Sequence, residues 1–239
     1  EAMRRCLKDL GAGLEESGHT LTIEGFGNEP KQVKELDVGN AGAVLRFLMS
    51  IASLCEEVTF VNNYPESLGK RPHEDLIKAL EQMNVRVTHQ DGKLPITIHG
   101  GNPEGGRIQV SGEVSSQYLS SLLFFTPLLK EDSVITVLDD LKSKVVVGQT
   151  LDVLEQAGIE IEAAEDLMSY RIRGGQTYKP QEYIVQGDYP GSAAILAAAA
   201  VTNSDVRIHR LEEDSKQGER AVIDVLRAMG VNLTHSNHT

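Results

Sequence analysis

A five-residue mark recurs four times along this chain and constrains its architecture more than any composition figure. It reads Leu7-Lys8-Asp9-Leu10-Gly11, Leu80-Glu81-Gln82-Met83-Asn84, Leu154-Glu155-Gln156-Ala157-Gly158 and Leu226-Arg227-Ala228-Met229-Gly230. Each copy closes a helical pattern and leads into a strand-like stretch, and the closing residues stand 73, 74 and 72 positions apart. Gly and Asn tolerate the left-handed position just past a helix end, which predicts a helix stop at all four. Two further markers keep the same register. Gly39-Asn40-Ala41-Gly42, the segment from Gly112 through Ser115-Ser116-Gln117, and Gly187-Asp188 followed by Gly191-Ser192 each open an apolar helix, at spacings of 73 and 75. The strand after that helix recurs as Val58-Thr59-Phe60-Val61, Val134-Ile135-Thr136-Val137 and Val206-Arg207-Ile208-His209. Three markers in phase define a structural repeat.

One unit, read from Gly39, predicts a buried helix over 41–54, a strand over 58–62 and an amphipathic helix over 72–83. Pro72 falls in that helix's first turn, where the missing N–H costs nothing. Strands over 85–89 and 95–99 flank the turn Asp91-Gly92-Lys93, a strong hairpin signal, and a last strand covers 107–110. Moving the cut by one element gives a βαβαββ unit. The second unit spans 112–186 with the same grammar, residues 1–38 are the back half of a preceding unit, and 187–239 the front half of a following one. The first helix of each unit is apolar nearly all round (Leu45, Phe47, Leu48 and Met49; Leu119, Leu122, Leu123 and Phe124) and therefore belongs inside. The second carries charge on one face and covers the outside. The expected fold is α/β (α+β), built from repeated βαβαββ units of about 73 residues with interior helices.

Charge narrows the function. Asp and Glu total 35 against 23 Lys and Arg, a formal charge of −12. Such a chain gains no counterion-release term on a polyanion, which argues against nucleic acid and anionic membranes as partners. Small anions remain open, since a few basic residues can converge locally. No apolar run approaches the roughly 18 residues of a membrane span, and no signal peptide is read, so the expected compartment is the cytoplasm. Cys6 and Cys55 lack partners at disulfide or zinc spacing and read as buried spectator thiols. His235 and His238, in the polar end of the chain, also read as spectators, and no metal is expected. Phosphate-loop, dinucleotide and nucleophile-triad patterns are missing.

The interior helices start at Asn40-Ala41-Gly42, Ser115-Ser116-Gln117 and Gly191-Ser192. A helix N-terminus offers unpaired N–H groups and the positive end of the dipole to an anion. Plain capping explains a single Ser or Asn there. Ser115-Ser116-Gln117 exceeds what a cap requires, and capping and anion binding stand even at that helix. Each second helix follows a basic loop: Lys70-Arg71-Pro72, Lys142-Ser143-Lys144 and Lys216. Arg71, with its bidentate fork, is favoured over Lys70 for a carboxylate or phosphate. Arg46, one turn into a buried helix, is either a buried ion-pair partner or part of the anion site. His73-Glu74 reads as local helix-start chemistry.

Leu36 through Asn40-Ala41-Gly42 to Arg46, Lys70-Arg71-Pro72, Asp91 through Ile96, Ser115-Ser116-Gln117, and Gly187-Asp188 followed by Ser192 together resemble the 5-enolpyruvylshikimate-3-phosphate synthase family, in order along essentially the whole chain. The resemblance implies an inverted α/β barrel of two lobes, each of three βαβαββ units. It implies transfer of the enolpyruvyl group of phosphoenolpyruvate to the 5-hydroxyl of shikimate 3-phosphate, in aromatic amino-acid biosynthesis, by a glyphosate target that uses no cofactor. Ser115, Ser116, Gln117 and Ser143 resemble shikimate 3-phosphate contacts. Asn40, Gly42, Arg71 and Gln117 resemble phosphoenolpyruvate contacts, with Gly42 as a backbone wall where a side chain would intrude. The partners implied are these two small anions, and a monomer is expected. Val145 and Val146 stand where the family commonly has an aromatic or His against the sugar, and Ala43 replaces a frequent Thr. Residues 1–188 are expected to form a first lobe lacking its opening strand and helix, and 189–239 the start of the second. Such a piece is expected not to turn over. UDP-N-acetylglucosamine enolpyruvyl transferase is the alternative of like chemistry, but neither cysteine lies in a catalytic loop. An RNA 3′-phosphate cyclase is disfavoured by the charge. A non-catalytic repeat-built binding module is the remaining alternative.

Overall fold

The computed structural model describes residues 1–234, which fall into two compact units, Glu1–Pro180 and the residues from Gln181 on. The first unit opens with α1 (Ala2–Asp9), β1 (Gly13–Ser17), β2 (Thr20–Glu24) and β3 (Glu35–Asp37). Next come α2 (Gly42–Ile51), β4 (Val58–Val61), α3 (Glu74–Glu81), β5 (Arg86–Gln90), β6 (Lys93–His99) and β7 (Gly106–Val110). The third stretch holds α4 (Ser116–Phe125), β8 (Ser133–Val137), α5 (Lys144–Gln156), β9 (Ile161–Ala163) and β10 (Ser169–Ile172).

The repeat is visible in the sheets. One runs β3-β4-β6-β5 and the other β7-β8-β10-β9, the same order twice, while β1 and β2 form a separate hairpin. In both four-stranded sheets the closing strand of one repeat lies parallel to the first strand of the next, β3 on β4 and β7 on β8. The remaining pairs are antiparallel. Successive repeats are thus joined by backbone hydrogen bonds as well as by the chain.

The recurring five-residue mark has one geometry throughout. Gly11, Asn84, Gly158 and Gly230 all sit at positive φ, 102°, 62°, 77° and 87°. The following N–H, of Ala12, Val85, Ile159 or Val231, donates back to the carbonyl of Leu7, Leu80, Leu154 or Leu226 at 2.9, 3.3, 2.9 and 3.0 Å. This is the bond of a Schellman stop, whose accompanying apolar contact accounts for the leucine at the head of every copy. The predicted hairpin turn also forms, with Asp91 at φ 51° and Gly92 at φ 65°.

α2 and α4 pack together in the interior, as their all-round apolar character predicts. Leu45, Leu48, Met49, Leu119, Leu122 and Leu123 are all at most 3% exposed. Small hydroxyl residues at the contact bring the helices close without orphaning a polar atom. Ser121 Oγ donates to the Arg46 carbonyl (2.6 Å) and accepts from Ser50 Oγ (2.6 Å). Phe47 and Phe124 meet edge to face at 5.4 Å. Ser120 and Thr150 hydroxyls, 2.8 Å apart, tie α4 to α5. Cys6 and Cys55 are buried free thiols, and burial pushes both pKa values up, so they are protonated and unreactive.

The second unit contains α6 (Tyr189–Thr202), a 3₁₀ turn (Gly218–Arg220) and α7 (Ala221–Ala228). Three expectations need correction here. Neither the closing strand of the repeat ending at 186 nor the strand over 206–209 forms, and residues 182–186 and 206–209 are irregular. A strand is held by its neighbours, and no hairpin equivalent to β5–β6 or β9–β10 follows residue 209 among the described residues. Just past their ends, Gly187 N donates to the Arg210 carbonyl. The third correction concerns α6, which matches α4 in apolarity yet leaves Ile195 53% and Val201 84% exposed. His235 and His238 lie outside the described residues.

Candidate functional site

The N-terminus of α4 meets α2 through one arginine. Ser115 is the N-cap of α4, extended at φ −161°, and its Oγ accepts from the Gln117 N–H at 3.2 Å. Arg46, projecting from α2, donates to Gln117 Oε1 at 2.7 Å and lies 3.5 Å from Ser115 Oγ. Its guanidinium carbon stands 5.5 Å from the centre of the Tyr118 ring. The two readings left open for Arg46 are thereby resolved toward the helix terminus, because among the described residues it has no carboxylate partner. Holding Oε1 fixes the carboxamide of Gln117 so that its NH₂ group is turned away from Arg46. Arg46 Nε is itself buried without a partner.

The basic loop reaches the same place. Tyr118 OH donates to the Pro72 carbonyl at 3.1 Å, pinning the residue next to Arg71 against the first turn of α4. Lys70 is engaged by Glu66, whereas Arg71 is exposed with no carboxylate partner among the described residues. Lys142 N donates to the Gly112 carbonyl at 3.2 Å, bringing the loop that carries Ser143 to the segment leading into Ser115.

Ser115, Gln117, Arg46 and the Arg71 loop therefore converge through direct contacts. Ser116 is buried in the first turn of α4. Ser143 is the N-cap of α5 in the left-handed region (φ 56°), with no side-chain cap bond, and Val145 and Val146 beside it are exposed. Asn40 is exposed in the turn before α2, whose N-cap, Ala41, offers no side-chain oxygen. A Cβ on Gly42 would rest 3.6 Å from Leu68 Cδ1 and 3.8 Å from the Arg46 guanidinium, ordinary contact distances. Within the protein itself a methyl group at Gly42 thus meets no clash, only contact with Leu68 and Arg46.

Two residues of this corner escape a reading of local patterns. Tyr118 is 1% exposed, and burial raises its pKa while Arg46 opposes the shift. His73 holds the N-cap position of α3, but its side chain caps nothing. The ring is fully buried with both nitrogens unpartnered. Burial first, then the positive charges of Arg46 and Arg71, lower its pKa from 6.5 to about 4. The available signal was the stripe His73, Leu76, Ile77, Leu80, at i, i+3, i+4 and i+7, all buried. Chemically, the corner offers an open helix terminus, a pre-oriented carboxamide and two guanidinium groups, an arrangement complementary to a small polyanion.

Repeated βαβαββ units with interior helices whose N-termini converge on a cationic corner define an enolpyruvyl-transferase-type α/β protein. A solved structure titled "2.37 Angstrom Structure of EPSP Synthase from acinetobacter baumannii" superposes with a TM-score of 0.75, covering 98% of this chain and 52% of that one at 22% identity. The pattern of the family described as EPSP synthase (3-phosphoshikimate 1-carboxyvinyltransferase) matches residues 1–239, and the chain belongs to that family. The 3-phosphoshikimate 1-carboxyvinyltransferase of Deinococcus radiodurans is 47% identical over 239 residues, all of this chain and 54% of the relative. That of Methanocaldococcus jannaschii is 36% identical over 229 residues, 94% of this chain and 52% of the relative. The chain spans about half the length of the curated relatives it matches.

Proposed function

We propose that this chain supplies one side of the site in a 3-phosphoshikimate 1-carboxyvinyltransferase, with shikimate 3-phosphate and phosphoenolpyruvate as its two anionic partners. The observation that carries the reading is the Arg46–Gln117–Ser115 constellation at the open N-terminus of α4. Ser115, Ser116, Gln117 and Ser143 hold the phosphosugar. Arg71, Gln117 and the α2 entrance at Asn40 and Gly42 hold phosphoenolpyruvate. The Gln117 NH₂ group, left free by Arg46, faces both.

In the reaction the 5-hydroxyl oxygen of the sugar loses its proton and bonds to C2 of phosphoenolpyruvate as C3 takes up a proton, giving a tetrahedral intermediate. The C2–O bond to phosphate then breaks as C3 gives up a proton, restoring the double bond, and the enolpyruvyl ether and inorganic phosphate result. These residues contribute position and charge stabilisation, a role that requires no metal or organic cofactor. The buried, protonated Cys6 and Cys55 offer no reactive thiol of the kind the UDP-N-acetylglucosamine alternative requires. We take residues 1–188 as the first lobe and 189–239 as the start of the second, in a cytoplasmic monomer. Among the described residues no helix is long and apolar enough to cross a membrane.

Calorimetric titration with shikimate 3-phosphate tests the reading. Saturable binding is expected, weakened at least tenfold by Gln117→Ala, about 1.4 kcal/mol, the scale of one hydrogen bond to a charged group. Equal binding by both chains would remove Gln117 from the site.

A further inference from the structure

His73 is unusual even among buried histidines. Its backbone is tied on both sides, the N–H donating to the Gly92 carbonyl (2.8 Å) and the carbonyl accepting from Ile77 N (3.0 Å). The ring is held at 0% exposure, its centre 6.3 Å from that of Tyr118, with neither nitrogen bonded. An apolar side chain in that seat would avoid the cost of two unmet polar atoms. The only described charges that lower its basicity come from Arg46 on α2 and Arg71 in the adjoining loop. Around it α4 presents Tyr118, α3 itself carries Glu74 and Asp75, the β5–β6 turn carries Asp91, and β5 carries His89, whose Nδ1 accepts from Gly92 N. The two guanidinium groups that add to burial in keeping the ring uncharged are thus the two that flank the anion corner.

We propose that His73 links proton uptake to occupation of this corner: an anion seated on Arg46 and Arg71 draws a proton onto the ring, and a protonated ring tightens the anion. The proposal rests on the reading of the corner as an anion site. An anion there cancels the two charges that oppose protonation, leaving burial alone. Linkage makes the effect reciprocal, so affinity must rise as pH falls toward the range in which the occupied site titrates. His73 acts through Arg46 and Arg71 and is a positioning residue, not a catalytic one.

Inorganic sulfate is a suitable probe, because it stays dianionic where phosphate esters take up protons themselves. Its affinity for the chain would be measured at pH 7.5 and 5.5, with His73→Met alongside to subtract every other titrating group. The expected result is a tightening at the lower pH roughly threefold larger in the unaltered chain than in His73→Met. In parallel, the NMR titration of the His73 ring in the unaltered chain should move to higher pH when sulfate is added, a readout that needs no variant. Sulfate binding with identical pH dependence in both chains, or an unmoved ring titration, overturns the proposal and leaves the anion site standing. No sulfate binding by either chain overturns both.

Discussion

α4 and α6 begin from the same repeat position and end as different objects. Ser115 caps α4 through a neutral hydroxyl, leaving the positive end of the helix open beside Arg46. Asp188 caps α6 through a carboxylate, with Oδ2 accepting from Gly191 N at 3.0 Å, so the terminus carries its own anion. α4 lies in the core of the first unit, whereas α6 exposes much of its apolar surface. Apolar character all round therefore states what a helix needs, not what it obtains, and the side chain at the cap decides which terminus is free for a ligand.

The largest expected effect sharpens the packing half of this comparison. Leu122→Ala, on α4 in the core, should cost about 2–5 kcal/mol in urea unfolding, the range for a fully buried leucine. Leu196→Ala on half-buried α6 should cost well under half of that. Equal losses would mean that α6 is as tightly packed as α4.

The next prediction concerns the corner beside α4. His73 has a folded pKa of about 4 against 6.5 unperturbed, so between these values the unfolded chain binds a proton that the folded chain refuses. Stability should fall as pH drops from 6.5 to 4, by up to about 3 kcal/mol from this group, and the group contributes nothing to the slope above that window. Urea melts of His73→Met across the same range should lack that component. A variant with the same acid slope as the unaltered chain would show that the ring is not held neutral.

The repeat and its helix stops were legible because each is local: a leucine, a spacer and a Gly or Asn carry the whole stop. The site was half legible. Ser115, Gln117 and Arg71 announced themselves by residue type and loop position, but the partner of Arg46 lies 71 residues away and depends on how two interior helices set their register. The helix start at His73-Glu74 is where the sequence places it, but the His73 side chain caps nothing, and its spacing to Leu76, Ile77 and Leu80 is what puts the ring on the buried stripe. The strands over 182–186 and 206–209 failed for the opposite reason. Their β-branched composition is local, whereas a strand's existence depends on a sheet to join, and among the described residues neither segment belongs to one.

The central claim, that a neutral cap keeps the α4 terminus available to an anionic substrate, is tested most directly by making α4 resemble α6. Asp caps a helix about as well as Ser, so Ser115→Asp should preserve the thermal melt while placing a carboxylate where the phosphosugar is proposed to sit. Calorimetric titration with shikimate 3-phosphate should then show affinity at least tenfold below that of the unaltered chain, about 1.4 kcal/mol or more. A Ser115→Asp chain that folds normally and binds shikimate 3-phosphate undiminished would contradict the account.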